Sequence, residues 1–266
     1  MVISFFNQRY DLANPALKSL LAHADLAVVA THQDADRLKA LQSKTAILEM
    51  APFDSRLKIG KSQQTANLKL LYWLGNQTDS EILASLPQLF FLLEEFPNLI
   101  LTFASYHDEK ARISQLVNGY LKNKGKELEY SYRLGEESKE RIDDLGEENH
   151  LVQRVINFLE VTSEQSLLKE LEFTRLIVDL SREPDLFLQI AGISAGIPQI
   201  DLYSSPYLEH QKNGLLISDV TELKAAVEYY FKGLKNWNRA MMYAVNKITE
   251  YTSGKLVEKW KELLGD

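Results

Sequence analysis

The stretch from Asp179 to Ile200 (DLSREPDLFLQIAGISAGIPQI) concentrates the residue types best suited to handling a ligand. An aliphatic run ends at Leu180, a polar loop follows, and Pro184 falls where the first turn of a helix tolerates proline. Open parallel sheets bind ligands at the carboxyl ends of their strands, beside helix N-termini whose free N–H groups and dipole favour anions. Glu183, Pro184 and Asp185 are placed there. The small residues Ala191, Gly192, Ser194, Ala195 and Gly196 let such a helix approach the sheet closely, and Gly196-Ile197-Pro198 turns the chain into the next strand. On local physics alone the simpler account is tight helix-to-sheet packing with Gly196 as C-cap.

Other chemistry-bearing groups are scattered. His23, His32, His107, His150 and His210 show no His-x-x-x-His or Glu-paired spacing, which argues against zinc. His32 with Asp34 and Asp36 could hold a cation but reads more simply as a solvated first helical turn, and His107-Asp108-Glu109 could line a cleft but reads more simply as a helix cap after a strand. No Gly-x-x-x-x-Gly-Lys phosphate loop and no Gly-x-Ser-x-Gly elbow occurs. No cofactor or metal is expected.

The elements that must position these residues alternate between short apolar runs and longer amphipathic stretches, the order of a parallel sheet with crossover helices. The class is α/β. Strands are expected at 27–30, 45–50, 69–74, 99–105, 128–132, 152–159, 175–180, 197–202 and 214–217. Helices are expected at 16–23, 33–41, 80–95, 109–123, 163–172 and 184–195, with Thr31 and Ser80 as N-caps. After Ile217 the pattern turns helical, closing on about three segments that carry Trp237, Tyr243, Tyr251 and Trp260. Residues 51–66 (APFDSRLKIGKSQQTA) read as a linker, and 135–149 as a solvated charged segment.

The 266 residues are 45% hydrophobic, enough for one core or two. Thirty Lys plus Arg against 37 Asp plus Glu give a net charge of -7, so no broad basic surface is available for nucleic acid. The cysteine count is zero, which removes disulfides, thiolate metal sites and cysteine nucleophiles. No apolar run approaches the roughly 20 residues that span a bilayer, and MVISFFNQRYDLANP lacks the features of a signal peptide. A soluble protein of the reducing cytoplasm is expected.

The segment EPDLFLQIAGISAGIPQI resembles the donor site of GT-B glycosyltransferases, in which one Glu opens the unit, a second follows eight residues on, and a small-Gly-x-Pro-x-Ile turn closes it. Glu183 falls on the first acidic position and Ala191 on the second, where a carboxylate holds ribose hydroxyls in active members. Residues 24–41, 45–54, 68–76, 94–105 and 212–227 follow in the order that resemblance requires. A second departure lies in Gly75-Asn76-Gln77-Thr78-Asp79-Ser80, which supplies neither the Arg nor the Lys that neutralises the donor diphosphate. A leaving diphosphate there gains little transition-state stabilisation.

The closer resemblance is to a noncatalytic GT-B-like family, the first accessory secretory protein of the accessory Sec system. It is carried by APFDSRLKIGKSQQ, PDLFLQIAGISAGIPQI, EHQKNGLLI and GLKNWNRAMMYAVNKITEYTSGKLVEKWKELL. It implies a remnant of the first Rossmann-like domain with its linker (1–62), a GT-B-type Rossmann domain (63–250) and a C-terminal helix (251–266), that is, the latter part of a longer chain. It also implies a degenerate sugar or nucleotide cleft at Gly75, Asn76, Gln77, Glu183, Pro184, Asp185, Gln189, Ser194 and Gly196, with no catalytic residue. The implied role is export of serine-rich glycoprotein adhesins with the second and third accessory secretory proteins and the accessory SecA motor ATPase, in the cytoplasm and peripherally at the inner membrane face. Two alternatives stand beside it: an active glycosyltransferase using Glu183, with Lys212 or Arg182 on the diphosphate, and an interaction module with no small-molecule site.

Overall fold

Two parallel sheets organise the chain, and the computed structural model describes residues 2–5, 13–29, 32–39, 41, 44–47, 68–124, 155–248 and 253–264. The strand expected at 128–132 and the segments 51–66 and 135–149 lie outside the described residues.

The smaller sheet contains β1 (Val2–Phe5), β2 (Leu26–Val29) and β3 (Thr45–Ile47), paired in that order with α1 (Pro15–Ala22) and α2 (His32–Leu38) between them. Strand β1 is not among the strands expected from the sequence. Its four residues become a strand by pairing Val2 with Leu26 and Phe5 with Val29. Leu21, Ala27, Val29, Ala35 and Leu38 form the core of this unit.

The larger sheet has the order β6-β5-β4-β7-β8-β9, all parallel: β4 (Leu68–Trp73), β5 (Leu99–Ser105), β6 (Val155–Glu160), β7 (Leu176–Asp179), β8 (Gln199–Asp201) and β9 (Gly214–Leu216). Strand β4 is buried on both faces because its side chains alternate between two cores. Leu70, Tyr72 and Leu74 join the core under α3 (Asp79–Glu95) and α4 (Lys110–Lys124); α7 (Leu223–Phe231) and Trp237 of α8 (Leu234–Ile248) complete it. Leu71 and Trp73 join the opposite core under α5 (Glu164–Leu171) and α6 (Leu186–Ser194). The chain ends on α9 (Ser253–Leu264).

Two helix starts differ from expectation. Thr78, not Ser80, caps α3, in a capping box with Glu81. Pro184 precedes the cap of α6 instead of lying in its first turn, because the Asp185 carboxylate accepts the Leu188 N–H at 2.8 Å and so starts the helix one residue later. Among the described residues no helix is long and apolar enough to cross a membrane.

Candidate functional site

The strand order reverses between β4 and β7: from β4 the chain moves outward through β5 and β6, then returns beside β4 and continues through β8 and β9. That switch point leaves a crevice at the carboxyl ends of β4 and β7. Two loops meet there. Gly75 has φ +51°, and a Cβ built on it would lie 2.8 Å from Ser181, so the β4 loop and the β7 loop touch at a place that only glycine fits.

The β7 loop is organised from beneath by Asp179, which is 1% exposed. Its carboxylate accepts the N–H groups of Ser181 (3.0 Å) and Asp185 (2.9 Å) and the Ser181 hydroxyl. Two backbone donors of the loop, those of Ser181 and Asp185, are therefore satisfied from inside it. Asp201, its in-register neighbour on β8, is fully buried and takes a hydrogen bond from the Gln189 amide. Burial pushes the Asp179 carboxyl up to about 6, and burial together with the charge of Asp179 pushes Asp201 well above the ordinary carboxylate range.

The N-terminus of α3 is likewise capped by the chain itself. Glu81 accepts the Thr78 N–H at 2.8 Å and the Thr78 hydroxyl at 2.9 Å, contacts that hold its carboxyl below the usual range. Arg182 pairs with Glu81 at 3.0 Å. Arg112 reaches Asp79 at 2.7 Å, Glu109 at 3.1 Å and the Gln77 carbonyl at 3.0 Å. Lys212 pairs with Glu209 at 2.8 Å. Both cations weighed as diphosphate ligands, Arg182 and Lys212, thus already face carboxylates of this chain.

The expected cleft residues separate into three groups. Gly75, exposed Asn76, exposed Glu183, half-buried Pro184 and Asp185 border the crevice. Gln77 and Gln189 turn inward: Gln77 accepts from the Tyr72 hydroxyl at 2.7 Å and donates to the Trp73 carbonyl at 2.8 Å, whereas Gln189 holds Asp201. Ser194 and Gly196 stand at the far end of the nine-residue α6, about 14 Å along its axis from Asp185. Gly196 has φ +70° and Ile197 donates to the Gly192 carbonyl at 2.8 Å, a C-cap geometry. Ala191 is fully buried beside Trp73 and Leu188, so the second acidic position of a donor site points into the core here.

Tyr106 is absent from the sequence-based expectations. It packs edge-to-face on Trp73 with ring centroids 4.8 Å apart, and its hydroxyl donates to Asp185 at 3.2 Å, joining the β5 end to the N-terminus of α6. An aromatic directly after a strand is the one sequence signal that points to it. Among the described residues no group of three or more His, Cys, Asp or Glu is arranged to hold a metal ion. The crevice offers exposed carboxylate and amide groups at its rim and no uncommitted cation of the three described above. That chemistry suits hydroxyl groups better than phosphate.

Comparison with known proteins shows the family and the fold. The family model for accessory Sec system protein 1 matches residues 1–266. A curated protein of that name from Streptococcus gordonii is 35% identical over 276 residues, which cover 99% of this chain and 51% of the relative. A solved glycosylation-associated protein (Gap123) complex from Streptococcus agalactiae matches at 33% identity with TM-score 0.68, over 97% of this chain and 49% of that one. A crystal structure of accessory secretory proteins 1, 2 and 3 in Streptococcus pneumoniae matches at 28% identity with TM-score 0.63, over 99% of this chain and 48% of that one. Glycosyltransferases at 12 to 14% identity share the fold, which is of the GT-B type. The chain spans about half the length of the relatives it matches.

Proposed function

The chain belongs to the accessory Sec system protein 1 family, and from that premise we propose that it is part of a noncatalytic glycosyltransferase-like subunit that assists export of serine-rich glycoprotein adhesins. Its partners in this reading are the second and third accessory secretory proteins, the accessory SecA motor ATPase and the adhesin itself. In this reading it works in the cytoplasm, peripherally at the inner membrane face. The crevice between the β4 and β7 loops serves to hold neutral glycan, through Asn76, Glu183 and Asp185 at its rim.

One observation carries the reading. At the two places where a GT-B donor site binds anions, this chain's own carboxylates take backbone donors: Asp179 those of Ser181 and Asp185 in the β7 loop, and Glu81 that of Thr78 at the α3 N-terminus. A nucleoside diphosphate entering here meets the exposed Glu183, while Arg112 and Arg182 are already paired with Asp79 and Glu81, so little transition-state stabilisation is on offer.

The test has two arms. Calorimetric titration of uridine-diphosphate sugars, with and without magnesium, is expected to give no saturable heat at millimolar ligand. Size-exclusion chromatography of the protein with accessory secretory proteins 2 and 3 is expected to give a co-eluting complex. Nucleotide-sugar turnover that disappears in Glu183→Gln would overturn the noncatalytic reading, and failure to co-elute would overturn the subunit reading.

A further inference from the structure

We propose that a second cavity, at the carboxyl ends of β5 and β6, is a subsite for one uncharged pyranose ring; this rests on the glycan-holding reading above and names where one sugar unit sits. The cavity has a volume of about 230 Å³ and lies at the β6 side of the crevice, against the N-terminus of α4.

Strand register builds it. Phe103 pairs with Phe158 and Ser105 with Glu160, so by the two-residue alternation of strands all four side chains share one face of the sheet. The rings of Phe103 and Phe158 stack at 6.0 Å with 19° between their planes, giving an apolar floor. Two residues further on, Ser105 and Glu160 form a polar rim. Ser105 is 4% exposed and lines the cavity; its oxygen accepts the His107 N–H at 3.2 Å, and its own proton has no acceptor among the described residues. That leaves a buried hydroxyl ready to donate to whatever enters. Glu160, Asp108 and Lys110 complete the rim; one oxygen of Asp108 accepts the Lys110 N–H at 3.1 Å, and its other oxygen is available.

Size and charge select the ligand class. The volume falls below the roughly 300 Å³ at which pockets for whole drug-sized molecules begin, so a single ring fits and a nucleotide does not. The carboxylates of Asp108, Glu109 and Glu160 outnumber the Lys110 ammonium around the opening and repel phosphate. A pyranose presents an apolar C–H face for the Phe pair and hydroxyls that both donate and accept. Those hydroxyls match the Ser105 donor, the Glu160 and Asp108 acceptors and the Lys110 donor.

Saturation-transfer-difference NMR on the full 266-residue chain tests the proposal, with glucose, N-acetylglucosamine, uridine and uridine diphosphate as separate probes. The expected result is transfer to the ring C–H protons of a monosaccharide with a dissociation constant of about 1 mM, weakened about tenfold by Glu160→Ala and by Lys110→Ala. Both substitutions are at exposed side chains, and an unchanged thermal melt verifies the fold. No transfer from either sugar at about 50 mM would overturn the proposal. So would sugar binding that both variants leave intact, or displacement of the sugar by uridine. These arms read the isolated chain, so their failure leaves co-elution with the partner proteins standing. Loss of co-elution with sugar binding intact would overturn only the subunit reading.

Discussion

Replacing Asp179 with Asn should flatten the pH dependence of stability between about pH 4 and pH 7. In the native protein the Asp179 carboxyl is raised from 3.8 to about 6, chiefly by burial and also by the charge of Asp185, against the hydrogen bonds from Ser181 and Asp185 that pull it down. A group whose folded pKa exceeds its unfolded value stabilises the fold fully below the unfolded pKa, and that stabilisation is lost as pH rises through the folded pKa. A rise from 3.8 to about 6 corresponds to about 3 kcal/mol. Asp201 is likewise raised well above the ordinary carboxylate range, first by burial and then by the charge of Asp179. The carboxamide introduced by Asp179→Asn cannot ionise, but it turns an NH2 toward either the Ser181 or the Asp185 N–H. That leaves a buried donor unsatisfied at a cost of about 1–3 kcal/mol. Urea denaturation of both proteins from pH 4 to pH 7.5 is the assay. The variant should be the less stable by about 1–3 kcal/mol at the acid end, and the difference should close or reverse by pH 7. A stability difference that stays constant across that range would refute the assignment of the titration to Asp179.

Further outcomes follow from the same geometry. Glu81→Ala removes the reciprocal half of the α3 capping box and should cost about 1 kcal/mol, read as a melting temperature lower by about 2–4 °C; an unchanged melt would mean that the Thr78 N–H finds water equally well. Gly192→Ala forces a Cβ within 2.6 Å of both Ile177 Cδ1 and Gln199 Nε2, and a lower urea midpoint equivalent to about 1–3 kcal/mol is expected; full tolerance would show that α6 can withdraw from the sheet. Glu183→Gln should leave titrations with uridine-diphosphate sugars as flat as those of the native protein, since Arg182 and Lys212 are already paired with Glu81 and Glu209.

Much of the framework is legible from residue order. The apolar runs around β4, β5, β7, β8 and β9 are short and bounded by polar or turn residues, and strands buried on both faces show themselves in this way. The last three helices are likewise visible in their spacing. Boundaries are less so. Thr78 and Ser80 are both good cap residues, and only the position of Glu81, three residues after Thr78 with its carboxylate on the Thr78 N–H, decides between them. Strand β1 escapes a reading of the sequence because VISF has no punctuation of its own and depends on pairing with β2.

Residue type and local spacing suffice for the α/β class and the small-residue packing of α6, whereas the departures at the donor-site cations and second acidic position are legible only through the resemblance to GT-B glycosyltransferases. The remaining features depend on which distant residues become neighbours. Asp179 and Asp201 become a buried pair because β7 and β8 align in register, and Ser105 meets Glu160 because β5 and β6 do. Gln77 turns away from the crevice because Tyr72 and the Trp73 carbonyl satisfy its amide. Arg182 reaches Glu81 across 101 positions of chain because the strand order reverses between β4 and β7. A linear sequence shows which groups are present. Strand order and register determine which of them share a charge, a proton or a cavity, because Coulomb energy and hydrogen bonding depend on separation in space.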